Sequence, residues 1–137
     1  MDNKYHLEVL TPYRKFYDGD VEEIIVTTSA GEVGVQKGHI PMTVALGIGT
    51  LKIKNDNEWK EASISNGFME VKQDNVVILA NAAEWPEEID IKRAEAAKER
   101  AEERLRQKKS QKEYLLAKAA LRRALVRMTI AKKYKNI

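Results

Sequence analysis

The stretch "VVILANAAEWPEEIDIKRAEAAKERAEERL", residues 76–105, contains the change of period that decides the fold. Up to Ala83 it is apolar and rich in β-branched side chains, the composition of a strand. Beyond Trp85-Pro86 it is built almost entirely of Ala, Glu, Lys and Arg, and apolar side chains return about every 3.6 residues. Neither Gly nor Pro occurs again up to residue 137. The spacing therefore predicts a β domain over residues 1–85 and a helical one over residues 86–137, with Pro86 at the boundary.

Upstream of this stretch, "HLEVL", "EEIIVTTS", "TLKIK", "EASIS" and "FMEVK" read as further strands. Turn chemistry separates them at Asp18-Gly19, Asn55-Asp56-Asn57, Asn66-Gly67 and Asp74-Asn75. Short strands with no helix-length insert predict antiparallel pairing in a sandwich or flattened barrel. Asn66-Gly67 is the strongest hairpin signal, because a two-residue type I′ turn requires positive φ at both central positions.

Downstream, Asp90 fits a first helical turn, where its charge meets the positive end of the helix dipole, and "KKSQK" at 108–112 reads as a bend. Two helices of about 20 residues, roughly 30 Å each, are expected. Ala94, Ala97, Ala101 and Leu105 form a stripe on the first, and Ala117, Leu121, Ala124, Leu125 and Met128 one on the second. The predicted class is α+β, an N-terminal antiparallel β-sandwich followed by a C-terminal two-helix antiparallel hairpin. A seam of alanines lets helices approach closely but buries little apolar area, so the hairpin should open at low cost.

Composition narrows the chemistry. No apolar run approaches the roughly 18 residues of a membrane span, and "MDNKYHLEV" lacks the apolar core of a secretion signal, so a soluble intracellular protein is expected. With no cysteine there is no disulfide, thiolate nucleophile or zinc-binding sulfur, and the two histidines, His6 and His39, are far apart. Gly31, Gly34 and Gly38 read as turn glycines, since no Gly-Lys-Ser/Thr follows them. His39 reads as structural, and the carboxylates form no acid/base pair, so catalysis is not expected.

The charge is divided. Residues 1–88 hold eight Lys and Arg against fifteen Asp and Glu, whereas residues 89–137 hold sixteen against six. Arg93 and Arg100 are seven apart on the first helix, and Arg123 and Arg127 four apart on the second, so each pair shares a face. An antiparallel hairpin could turn all four toward one polyanion, and guanidinium groups suit phosphate because they donate two parallel hydrogen bonds. The same residues also fit a solvated charged face. Nucleic-acid binding is an alternative, since residues 107–137 hold ten basic residues and one acid, although few aromatics are present to stack on bases.

Three separated motifs carry a resemblance over essentially the whole chain to the ε subunit of bacterial F-type ATP synthase. "GEVGVQKGHIPM" is similar to that family's Gly-x-aliphatic-Gly…Gly-His-x-Pro loop, "SNGFMEV" to its Gly-Gly-Phe-hydrophobic-Glu-Val hairpin, and "EIDIKRA" to the Ile-Asp-x-x-Arg-Ala motif of members that bind ATP. Lys37 stands where a proline is common, and Asn66 where a second glycine is common. The resemblance implies a non-catalytic central-stalk rotor subunit. Its sandwich would hold the γ subunit and the c-ring, while its hairpin, folded or extended, would regulate ATP hydrolysis by the α and β subunits of the head. Nucleic acid would not be a partner, and the subunit would be peripheral to the cytoplasmic face of the bacterial cell membrane. The implied ATP site comprises Glu84, Asp90, Arg93, Arg100, Arg123 and Arg127, with ATP a regulatory ligand rather than a substrate and Mg²⁺ an optional companion. Arg122, Lys132 and Lys133 would meet acidic loops of the head.

Overall fold

The computed structural model describes residues 3–135 as two compact units that divide between Glu84 and Trp85. The first holds seven strands, β1 (Tyr5–Leu10), β2 (Lys15–Val21), β3 (Glu23–Thr28), β4 (Gly31–Gln36), β5 (Met42–Asn55), β6 (Glu58–Val71) and β7 (Asn75–Glu84). They form one hydrogen-bonded sheet in the order β2-β1-β7-β6-β5-β3-β4. The sheet folds over on itself. Although β1 and β4 lie far apart in that order, the Tyr5 hydroxyl donates to the Val35 carbonyl at 2.7 Å. The Asn55 side-chain amide on β5 likewise donates to the Asp20 carbonyl on β2 at 3.2 Å. Between the two layers lie Leu7, Val9, Ile24, Val26, Leu51, Ile53, Met69 and Ile78, all buried. Burial withdraws the Tyr5 phenol from water and pushes its pKa up.

The fold-over depends on the length of β5 and β6, 14 residues each, and on where they bend. Pairing between β3 and β5 slips between Val26 and Thr28, opposite Gly47–Gly49, and the Thr27 hydroxyl fills the gap by accepting from the Thr50 N–H at 3.1 Å. On β6 the bend is at Asn66-Gly67, both with positive φ, 39° and 143°. This is a correction. The dipeptide has positive φ at both positions, as expected of a hairpin turn, but it lies inside a strand that pairs with β5 on one side and β7 on the other. A Cβ at Gly67 would run into the Leu79 carbonyl oxygen and stand 2.9 Å from the Ala80 Cα.

Three further readings change. Asp18-Gly19 is not a turn but lies within β2, paired with Glu8 and Leu7. Gly34 lies inside edge strand β4, while Gly31 and Gly38 have the positive φ of turn glycines. The pairing is antiparallel throughout except between β1 and β7, which run parallel from His6↔Asn75 to Leu10↔Leu79.

The second unit opens with a one-turn 3₁₀ helix, Pro86–Glu88, continues into α1 (Ile91–Gln107), and returns through α2 (Gln111–Lys135). Asp90 is the N-cap of α1 and accepts from the Arg93 N–H at 3.1 Å. Lys108 takes the left-handed conformation that ends α1, and Ser110 accepts the Glu113 N–H at 3.0 Å to start α2. Arg104 and Glu113 bridge the helices beside the bend at 3.3 Å.

Ala94, Ala101, Ala117 and Ala124 are buried, with Ala97, Leu105, Leu121 and Met128 partly so; Leu125, by contrast, points outward at 42% exposure. At the open end of the hairpin Ile89, Ile130 and Ala131 form a separate buried cluster, with Ile91 and Val126 packed on it. Burying one isoleucine contributes about 1.5–3 kcal/mol, against about 0.8 kcal/mol for a single methyl or methylene.

Candidate functional site

The sequence-predicted arginines come together in the second unit. At about 100° per residue, Arg93 and Arg100 lie about 100–120° to one side of the Ala94–Ala101 line. Arg123 and Arg127 lie about 80–120° to the same side of the Ala117–Ala124 line. The helices run antiparallel and face each other along those lines, so both displacements point to one edge of the hairpin. The Arg104–Glu113 pair lies on that edge and fixes the alignment. Arg93 is then level with Arg123 and Arg127, and Arg100 stands about 10 Å nearer the bend. Arg93 and Arg100 are exposed and Arg123 and Arg127 half-buried.

Asp90 follows Ile89 and sits at the same end of the hairpin as Arg127. Its Oδ1 accepts the Arg93 amide, so its first task is to cap the helix, and its remaining lone pairs can accept from a ligand. Glu84 ends β7 in the first unit and is half-buried. Arg122, Lys132 and Lys133 are exposed on α2, with the Lys133 ammonium 5.4 Å from the Tyr134 ring centroid.

Two features of the first unit escaped the sequence reading. One is a row of outward side chains across four neighbouring strands: Leu10 pairs with Leu79, Leu79 with Phe68, and Phe68 with Ala45. Phe68 is 59% and Leu79 52% exposed. Beside the row a groove of about 730 Å³ is lined by Leu10, Pro12, Gly67, Phe68, Leu79 and their neighbours. Apolar side chains exposed in contiguous rows mark docking surfaces. The signal was present in "VVILA", whose unbroken apolar run puts Val77 and Leu79 on the face opposite the core.

The other is a charge cluster on β1 and β2. His6 Nε2 lies 2.6 Å from Asp18 and its Nδ1 3.2 Å from Asp20, while Lys15 spans Glu8 and Asp18 at 3.1 and 3.3 Å. The hydrogen bond to Asp20, and then those with Asp18, hold the His6 pKa above 6.5. Lys15 is raised, chiefly by Glu8, and Asp18 lowered, chiefly by Lys15. His39 is half-buried, with Nδ1 3.0 Å from the Ile40 carbonyl. Among the described residues no group of His, Cys, Asp and Glu could hold a metal ion, and no helix is long and apolar enough to cross a membrane.

A folded-over sheet with an outward apolar row, followed by a hairpin with a basic edge, defines a two-part subunit of the kind that assembles with other chains. Residues 4–86 match the family described as ATP synthase, Delta/Epsilon chain, beta-sandwich domain, and residues 87–132 that described as ATP synthase, Delta/Epsilon chain, long alpha-helix domain. The chain belongs to the family of bacterial ATP synthase epsilon chains. It is 67% identical over 138 residues to the ATP synthase epsilon chain of Caldanaerobacter subterraneus subsp. tengcongensis, covering 100% of both, and 49% identical to that of Caldicellulosiruptor bescii, covering 97% of each. Its fold also matches a chain in the cryo-EM structure of the Euglena gracilis mitochondrial ATP synthase, OSCP/F1/c-ring, with a TM-score of 0.80 and 24% identity over 91% of this chain and 79% of that one. The nucleic-acid alternative finds no support in these comparisons.

Proposed function

We propose that the chain is a non-catalytic rotor subunit of a proton-translocating ATP synthase, at the cytoplasmic face of the bacterial membrane. Its sandwich joins γ and the c-ring, and its hairpin restrains ATP hydrolysis by the α/β head when extended. The apolar row through Phe68 and Leu79 is the surface for γ. The exposed cations Arg122, Lys132 and Lys133 suit acidic loops of the head.

ATP acts as a regulatory ligand of the folded hairpin. The observation that carries this reading is the single edge on which Arg93, Arg100, Arg123 and Arg127 stand. Four guanidinium groups from two helices suit a triphosphate, whose charge they offset with or without Mg²⁺. Only the folded hairpin assembles them, so ATP stabilises that state by RT ln(1 + [L]/Kd), about 2.7 kcal/mol at a hundredfold excess over Kd. Scarce ATP then releases the helices, and hydrolysis stops. Asp90 is assigned to the nucleoside end.

Calorimetry of the chain with ATP tests the site. Arg123→Ala and Arg127→Ala should each weaken binding by roughly 1.5–3 kcal/mol per lost charge-assisted hydrogen bond, and less where water enters. Equal binding by wild type and both variants would sink the ligand assignment. In the assembled enzyme, removal of residues 88–137 should leave γ binding intact and raise ATP hydrolysis, and an unchanged rate would refute the inhibitory role.

A further inference from the structure

We propose that the hairpin is held shut by an apolar latch at its open end, rather than by the alanine seam along its length. This rests on the reading that the hairpin opens, and it names the residues that set how readily it does so. Along the seam only the methyl groups of Ala94, Ala101, Ala117 and Ala124 are buried, while Leu105, Leu121 and Met128 keep part of their surface in water. The large side chains buried in the second unit are Ile89, 2% exposed, and Ile130, 1% exposed, joined by Ala131, Ile91 and Val126. Each isoleucine removes several times the apolar area of an alanine methyl from water. The latch therefore holds the largest fully buried side chains that must return to water when the helices part.

Its position matters as much as its size. Two helices joined by a bend part first at the ends away from it, and the latch joins those ends. Ile89 is itself held by fixed structure on both sides. Before it, the Trp85 N–H donates to Glu88 Oε1 at 2.8 Å, the Glu88 N–H to the Trp85 carbonyl at 3.0 Å, and its own N–H to the Pro86 carbonyl at 3.2 Å. After it comes the Asp90 cap. A residue held between a proline-started 3₁₀ turn and a capped helix is already placed to receive Ile130, so closure costs little further ordering.

The latch is interleaved with the basic edge. Asp90 lies between Ile89 and Ile91, and Arg127 follows Val126 and precedes Ile130. A change in the latch thus moves the population of the state that assembles the arginines without touching an anion, which makes Ile89 and Ile130 positioning residues.

Amide hydrogen exchange on the full-length chain without nucleotide tests the latch directly. Ile130→Ala should speed exchange of α2 amides from Arg123 to Ala131 by at least tenfold and leave those of β5 and β6 unchanged. Ile130→Val, a milder cavity, should fall between it and wild type, and Leu125→Ala, an exposed position on the same helix, should match wild type. Unchanged exchange in Ile130→Ala, or an equal rise in Leu125→Ala, would overturn the proposal. Faster α2 exchange in a protein whose wild type binds no ATP would uphold the latch while removing the ligand reading, so the two fail separately.

Discussion

Replacing Gly67 with alanine tests the bend that lets β6 serve both layers of the sandwich. The residue has φ of +143°, a region in which a side chain costs of order 1–3 kcal/mol. The added Cβ would also meet the Leu79 carbonyl, with the Leu79 carbonyl carbon and the Ala80 Cα both at 2.9 Å. All of these are backbone atoms of the paired strand, so relief requires β6 and β7 to separate at Gly67↔Ala80 and to lose hydrogen bonds worth about 1 kcal/mol each. Together these terms come to about 3–5 kcal/mol, a large part of the stability of a small domain. At about 4–8 °C per kcal/mol for a domain of this size, the melting temperature should fall by at least about 12 °C. Scanning calorimetry of the full chain, with Trp59 fluorescence reporting the sandwich, measures the shift. Asn66→Gly, at a φ of 39°, should change stability by no more than about 0.5 kcal/mol, because glycine takes that conformation freely while losing more freedom on folding. A drop of less than about 4 °C in Gly67→Ala would show that the sheet yields where it is drawn as rigid.

The remaining predictions address charge and docking. His6 has a folded pKa above its unfolded 6.5, so its contribution to stability is present in full below pH 6.5 and is lost as pH rises through the folded value. Denaturation of wild type and His6→Gln should therefore differ more at about pH 5.5 than at about pH 8.5, and a His6 ring titration midpoint at or below 6.5 would contradict the clamp between Asp18 and Asp20. Phe68→Asp should leave the melting temperature within a few degrees, because the ring is mostly exposed, yet weaken γ binding at least about fivefold; undiminished binding would remove the apolar row from that interface.

Much of this was legible in the sequence, and the exceptions have physical causes. The change from period 2 to 3.6 at Trp85-Pro86 is local, and so is the seven- and four-residue arithmetic that puts the arginines on one edge. Asn66-Gly67 was misread because the dipeptide encodes positive φ but not whether the chain reverses, and here β6 stays paired with both flanking strands on either side of it. Strand β2 was hidden by Asp18-Gly19, whose turn-like composition lies here, without positive φ, in a ladder with β1. The parallel β1–β7 pair joins residues from opposite ends of the domain, and no local pattern specifies such a contact. The outward position of Leu79 went unseen because the unbroken apolar run "VVILA" does not mark which of its faces is buried.

Helix α2 carries more apolar side chain than one partner helix can cover. Ala117 and Ala124 satisfy the seam and Ile130 the latch, but Leu115 and Leu116 remain 54% and 48% exposed, with Tyr114 beside them at 44%. Successive positions on a helix point about 100° apart, so no single stripe could bury all three. A helix whose only surroundings were this hairpin would gain solubility from polar residues there. The rotor reading supplies a second environment, since an extended helix would stand against other chains and its leucines would then meet protein. Leu115→Ser with Leu116→Ser should accordingly leave the stability of the folded chain within about 0.5 kcal/mol, as exposed positions do, while relieving the restraint on ATP hydrolysis in the assembled enzyme. If the double variant restrains hydrolysis as strongly as wild type, the exposed leucines have no role in the head, and the basic positions of α2 must account for inhibition alone.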